Sequence, residues 1–242
     1  MREIVEILGV KIDKLTADYA LKKAIRYLDT PDVSVIFTPN PEILVAAAED
    51  PDFRRVLNTA DLCTADGIGV VYASRMLKNP VPERVTGYDL ARGLLQHCSQ
   101  TGDGVFLFGA KPGVAEKAKA KLEAEMPGIR IVGTQHGYFT AEEDQGIVEQ
   151  INQSGARLLL VCLGAPKQEK WIDAHRGQLH VSLCMGLGGA LDGFAGEVKR
   201  APKFFIKCNL EWLYRLCKQP SRFKRYGALP KFMMMVKQAY KG

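Results

Sequence analysis

The six cysteines (63, 98, 162, 184, 208 and 217) are scattered through 242 residues with no C-x-x-C among them. Four lie in apolar runs such as LLLVCLGA and VSLCMGLG, where cysteine serves as a small core residue. A disulfide scaffold and a zinc site are therefore not expected, and the usage fits a reducing cytosol. The four histidines (97, 136, 175 and 180) are far apart and without ligand spacing. The D-x-D at 50–52 falls between two helical patterns rather than after a strand, so it reads as a helix start and not as a metal–diphosphate ligand. No uncharged apolar run reaches the ~18 residues of a membrane span. The N-terminal MREIVEILGVKIDK has acids within its apolar run and no small-residue cleavage site, so no signal peptide is expected. Internal repeats and low-complexity linkers are also missing.

What is present is ordinary globular composition, 47% hydrophobic and 25% charged, in a length that suits one large domain, alone or with an appendage. The net charge of +6 conceals an asymmetry: residues 197–242 hold 12 Lys+Arg against 2 Asp+Glu, and the first 196 hold 21 against 25. An acidic body (1–196) thus carries a basic tail (197–242), which calls for an anionic partner.

In the body, short β-branched runs at 33–38, 62–64, 105–109, 129–135, 157–163 and 181–185 alternate with helical patterns at 17–28, 41–49, 88–100, 113–126, 141–152 and 166–175. The runs lack strict polar alternation, as strands covered on both faces should. The expected fold is α/β, a Rossmann-like, mostly parallel sheet flanked by helices. From residue 203 the pattern is helical only, with Pro220 and Pro230 as breaks, giving a basic, amphipathic, aromatic-rich appendage.

Five turns could carry chemistry. In an open parallel sheet, ligands gather at the carboxyl ends of strands. Thr38 and Asn40 in TPNP suit a sugar hydroxyl or phosphate, or Asn40 simply caps a helix. Asp66 in TADGIG suits a general base, or an N-cap in a glycine turn. FGAKPG (108–113) leads into a long helix, and Gly109 there allows close backbone approach by a phosphate, although the full GxGxxG is missing. LGAPKQEKW (163–171) crowds Lys, Gln and Glu, including Gln168, into the first turn of a helix. MGLGGALDGFAG (185–196) offers glycines and Asp192.

TPNPE, the ADG turn, GAPKQEKW and the ending KRAP…NLEWLYRL…P-x-R-x-x-R occur here in one order. Together they resemble the WecG/TagA/CpsF family of bacterial glycosyltransferases over nearly the whole chain. The resemblance implies inverting transfer of N-acetylmannosamine from UDP-ManNAc to the C4 hydroxyl of GlcNAc on undecaprenyl diphosphate, forming a β-1,4 bond of the wall teichoic acid linkage unit. Relatives that use glucose, galactose or N-acetylmannosaminuronic acid are the alternative. It further implies Asp66 as base, Thr38, Asn40 and Gln168 as pocket residues, Asp192 near the uracil, and Arg215, Arg222 and Arg225 as the cations that offset charge growing on UDP, with no metal and no cofactor. The expected partners are a UDP-sugar donor, a polyprenyl-diphosphate acceptor and an anionic membrane surface, on the cytoplasmic face of the cell membrane. The apolar tail could pair protomers into a homo-oligomer where no membrane is present. A nucleic-acid binder would also use a basic tail, but the apolar faces built from Phe, Trp, Leu and Met and the lack of a nucleic-acid motif speak against it. A nucleotide-dependent oxidoreductase is disfavoured by the incomplete glycine fingerprint.

Overall fold

The structure is a computed structural model that describes residues 2–198, 202, 205, 214 and 228–241. Its centre is a six-stranded sheet in the order β4-β3-β8-β7-β5-β6, formed by β3 (Ser34–Phe37), β4 (Leu62–Cys63), β5 (Gly104–Gly109), β6 (Arg130–Gln135), β7 (Leu158–Cys162) and β8 (Leu183–Gly186). Every neighbouring pair is parallel, so the sheet is wholly and not just mostly parallel. All residues of β3, β5, β7 and β8 are buried, which explains why their sequences read as continuous apolar runs.

Alternate strand residues feed two cores. Ile36, Leu62, Val105, Leu107, Leu158, Leu160 and Met185 face a layer made by α1 (Ala17–Leu28), α5 (Gly87–Thr101), α6 (Val114–Glu125) and α9 (Ala190–Phe194). Phe37, Cys63, Phe106, Phe108, Leu159 and Val161 face the other layer. That layer comprises α2 (Pro41–Glu49), α3 (Pro51–Leu57), α4 (Ile68–Met76), α7 (Ala141–Gln153), α8 (Lys167–His175) and the C-terminal helix α10 (Ala228–Lys241).

Local chemistry sets the helix starts. Thr16, Asn40, Asp50 and Thr86 each accept a first-turn N–H with their side chains, and Pro41 and Pro51 occupy the first positions of their helices. Asp50 therefore starts α3, as its place between two helical patterns suggested. The Glu143 carboxylate accepts the Thr140 N–H at 2.8 Å at the head of α7.

A separate antiparallel hairpin, β1 (Ile4–Ile7) and β2 (Val10–Asp13), turns through Leu8 and Gly9, both with positive φ. It covers the β4 edge: the buried Asp13 carboxylate accepts the Cys63 N–H at 2.8 Å and receives the Arg2 guanidinium on both oxygens at 2.7 and 2.6 Å. This hairpin has no counterpart in the strand pattern read from the sequence.

The C-terminal helix is part of the body's packing. Phe232 and Val236 are fully buried in the same core as Phe37 and Phe108. Leu229 reaches the first turn of α4, where a Cβ on Gly69 would lie 2.8 Å from its Cδ1 and 2.7 Å from Pro41. Lys231 pairs with Glu49 at the end of α2.

Candidate active site

The chain leaves β5 toward β6 at one edge of the sheet and leaves β7 toward β8 in the opposite direction. This divergence of neighbouring strands opens a crevice above the carboxyl ends, the usual ligand position in such sheets. All five candidate turns follow β3, β4, β5, β7 and β8 and so lie along that edge.

The first two turns are stitched together. Thr64 N–H donates to Phe37 O at 3.0 Å and Asp66 N–H to Pro39 O at 3.2 Å. The segment 84–87, just before the 88–100 helical pattern and not among the five candidate turns, joins them: Val85 N–H donates to Ala65 O at 3.0 Å, and Thr64 Oγ1 to Val85 O at 3.2 Å. The N-terminal residue of α5, Gly87, then donates its N–H to Asp66 Oδ2 at 3.1 Å. A Cβ on Gly87 would sit 2.7 Å from Thr38 Oγ1 and 3.2 Å from Leu187 Cδ2. Thr38, Asp66, Gly87 and the loop after β8 therefore meet at one point. The signal for this was present: Thr86-Gly-Tyr-Asp89 is an N-cap signature, and the Thr86 hydroxyl both accepts Asp89 N–H at 3.1 Å and donates to its carboxylate at 2.7 Å. Half-buried Arg84 immediately precedes Val85 in this segment.

Gln168 lies in the first turn of α8, only 3% exposed. Its Oε1 accepts Gly188 N–H at 2.8 Å, and its Nε2 donates to Glu169 at 2.8 Å. A Cβ on Gly186 would approach Gln168 Nε2 to 3.1 Å and Phe37 to 3.4 Å, which places the amide over the ends of β8 and β3. Lys167, Lys170 and Trp171 of PKQEKW have scaffolding jobs. Lys167 donates to Gly137 O at 3.1 Å and lies 4.1 Å from the Phe139 ring centroid. Lys170 pairs with Asp50 and Asp52 at 2.9 and 3.5 Å. Trp171 donates to Asp144 at 2.6 Å and packs edge-on against Phe108.

Asn40 shows its capping face: Oδ1 accepts Ile43 N–H at 3.0 Å. Asp192, half-buried in α9, follows the β8–α9 loop that carries Gly188, and its Oδ2 lies 3.3 Å from a Cβ built on Gly189. Gly109 ends β5 beside Cys162 of β7, at the crevice itself but three strand spacings (roughly 14 Å) from β3. Packing alone demands glycine there: with φ +131, a Cβ would fall 2.3 Å from Cys162 O.

The family profile described as glycosyl transferase WecG/TagA/CpsF matches residues 5–242. The N-acetylglucosaminyldiphosphoundecaprenol N-acetyl-beta-D-mannosaminyltransferase of Bacillus subtilis (strain 168) is 40% identical over 211 residues, covering 87% of this chain and 81% of the relative. The protein of the same name from Bacillus spizizenii is 38% identical over 210 residues, with the same coverage. The chain belongs to the WecG/TagA/CpsF glycosyltransferase family.

As a member of this family the protein is an enzyme, and the edge of its sheet carries the Asp66–Thr38–Gln168 cluster. Arg215, Arg222 and Arg225 lie outside the described residues. Among the described residues, no group of three or more His, Cys, Asp or Glu is placed to hold a metal ion, and no helix is long and apolar enough to cross a membrane. Cys98, Cys162 and Cys184 are buried thiols pushed up to about 12 by desolvation, and Cys63 is raised by the same cause, so these four serve packing and not nucleophilic chemistry.

Gly87→Ala tests the convergence at α5. The new methyl meets Thr38 Oγ1 at 2.7 Å, so the hydroxyl must move. The expected result is a loss on the order of tenfold in kcat/KM, the cost of one displaced polar contact, with Tm nearly unchanged because alanine suits a helix better than glycine. Steady-state kinetics beside a thermal melt will check both parts.

Proposed function

We propose that this enzyme transfers N-acetylmannosamine from UDP-ManNAc to the GlcNAc of GlcNAc-diphospho-undecaprenol in a single inverting displacement. The observation that carries this is the identity to two transferases of that name across 87% of the chain, together with a carboxylate at the place where Thr38 and the Gly87 N–H converge. Asp66 takes the proton of the acceptor C4 hydroxyl as that oxygen bonds to the anomeric carbon. The bond from that carbon to the β-phosphate oxygen breaks, and UDP leaves with the electron pair. A general base of this kind contributes roughly 10²–10⁴-fold. The Gly87 N–H holds the carboxylate toward the pocket, while Thr38, Asn40 and Gln168 position sugar hydroxyls. Asp192 serves the nucleotide base.

Arg215, Arg222 and Arg225 are assigned to the charge that develops on UDP. A guanidinium matches a diphosphate with two parallel donors, and one preorganised donor is worth about 3–4 kcal/mol in the transition state. In this proposal the basic residues within 197–242, a stretch whose last helix packs on the body, seat the enzyme on the inner face of the cell membrane, at ~1 kcal/mol per basic residue near anionic lipid. Docking there brings the arginines to the nucleotide and confines turnover to the bilayer that holds the acceptor.

The experiment is UDP release from UDP-ManNAc with a short-chain polyprenyl-diphosphate-GlcNAc acceptor and EDTA present. Turnover is expected. Replacing Arg222 with Ala should lower kcat by about 10²–10³-fold, and replacing all three arginines with Glu should also abolish cosedimentation with phosphatidylglycerol vesicles. Release from a different UDP-sugar would correct the donor and keep the base. Silence with every donor would overturn the proposal.

A further inference from the structure

Glu169 is 2% exposed. One carboxyl oxygen accepts Gln168 Nε2 at 2.8 Å, and the other is sealed from solvent with no hydrogen bond among the described residues. Such an arrangement works against stability, because a buried polar atom without a partner is costly and an apolar side chain of similar volume would avoid the cost. The buried Asp13 is a useful contrast, for Arg2 and the Cys63 N–H satisfy it. Nothing comparable compensates Glu169, so its presence calls for a role other than holding the fold.

The geometry supplies one. A primary amide can present oxygen or nitrogen to a neighbour, and the Gly188 N–H requires oxygen. With Glu169 accepting from Nε2, only one orientation of the Gln168 amide satisfies both neighbours. That orientation ties the loop after β8 to α8 through the 2.8 Å bond from Gly188 N–H. The same loop carries Leu187, whose Cδ2 would lie 3.2 Å from a Cβ on Gly87, and Gly87 in turn holds Asp66. Burial also pushes the Glu169 carboxyl above the usual range, toward the neutral form, which still offers a carbonyl oxygen to Nε2.

We propose that Glu169 is a positioning residue that fixes the Gln168 amide and thereby holds the β8–α9 loop against the cluster of Thr38, Gly87 and Asp66. This deepens, and rests on, the transferase assignment above.

The test compares Glu169→Leu, which removes the acceptor, with Glu169→Gln, which keeps one. In Glu169→Leu the Gly188 amide should lose roughly tenfold or more of its hydrogen-exchange protection. Its kcat should fall on the order of 10²-fold, as for a small misplacement at a reacting centre, with Tm unchanged or raised. Glu169→Gln should recover most of both. Unchanged protection at Gly188 would overturn the proposal, as would activity and Tm falling together without rescue by Gln. Should the leucine variant fail to fold, Glu169→Asp withdraws the carboxyl by one methylene and faces the same criteria. If wild type turned over no UDP-sugar, the transferase assignment would fall, while exchange at Gly188 would still decide the role of Glu169 in the loop.

Discussion

Asp66→Asn should leave a folded enzyme whose sugar transfer is reduced by roughly 10²–10⁴-fold. Asparagine keeps the size of the side chain, and its amide oxygen can still accept the Gly87 N–H that now reaches Oδ2 at 3.1 Å. The turn itself rests on backbone bonds, Asp66 N–H to Pro39 O at 3.2 Å and Val85 N–H to Ala65 O at 3.0 Å, which the substitution does not touch. Donor affinity and Tm should therefore stay close to wild type while kcat collapses, the pattern of an interaction made only in the transition state. UDP release measured beside a UDP binding titration separates the two quantities. A variant retaining a tenth or more of wild-type kcat would remove Asp66 from the role of base.

The largest effect on stability should come from the far end of the chain. Phe232 is completely buried and packs in the core that contains Phe37 and Phe108. Truncating such a side chain to alanine costs about 3–5 kcal/mol, so Phe232→Ala should lower Tm by roughly 10 °C in a protein of this size. Met234 on the same helix is 55% exposed, and Met234→Ala should change stability by less than about 0.5 kcal/mol. Urea midpoints for the two variants give the comparison. Near-equal midpoints would mean that α10 does not contribute to the core.

Much of this architecture was legible in the residues, for definable reasons. Strands that are buried on both faces announce themselves as apolar runs, and 105–109 and 157–163 coincide with β5 and β7 to within a residue or two. Helix starts carried by Asn40-Pro41 and Asp50-Pro51 are local chemistry and needed no tertiary information. The β1–β2 hairpin was not visible because its edge residues include Glu6 and Lys11, and its cover of β4 depends on Asp13 reaching a backbone N–H fifty positions away. Thr38, Asp66 and Gln168 drew notice because each lies in a turn or first helical turn after a strand, while the roles given to them come from the family resemblance. For Gly87 and Glu169 the signal was partial: the Thr86 N-cap marks where α5 starts but not what Gly87 touches, and the crowding in PKQEKW does not show that α8 turns Glu169 inward. Equally, nothing in the spelling of PKQEKW shows that Lys167 and Lys170 face neighbouring loops and helices while Gln168 faces Gly188.

The docking of α10 changes how the stretch between Val198 and Ala228 must be understood. At one end, Val198 N–H is bonded to Asp192 O at 3.1 Å; at the other, Leu229 and Phe232 are packed against α4 and the core. Both described ends of that stretch are thus held on the body. In the proposed mechanism, meeting between the stretch's arginines and a nucleotide bound to the same body would be an intramolecular event, governed by a local concentration of about millimolar and not by how much protein is in solution. Cut at both fastenings, the same residues would become a dilute ligand for their own enzyme.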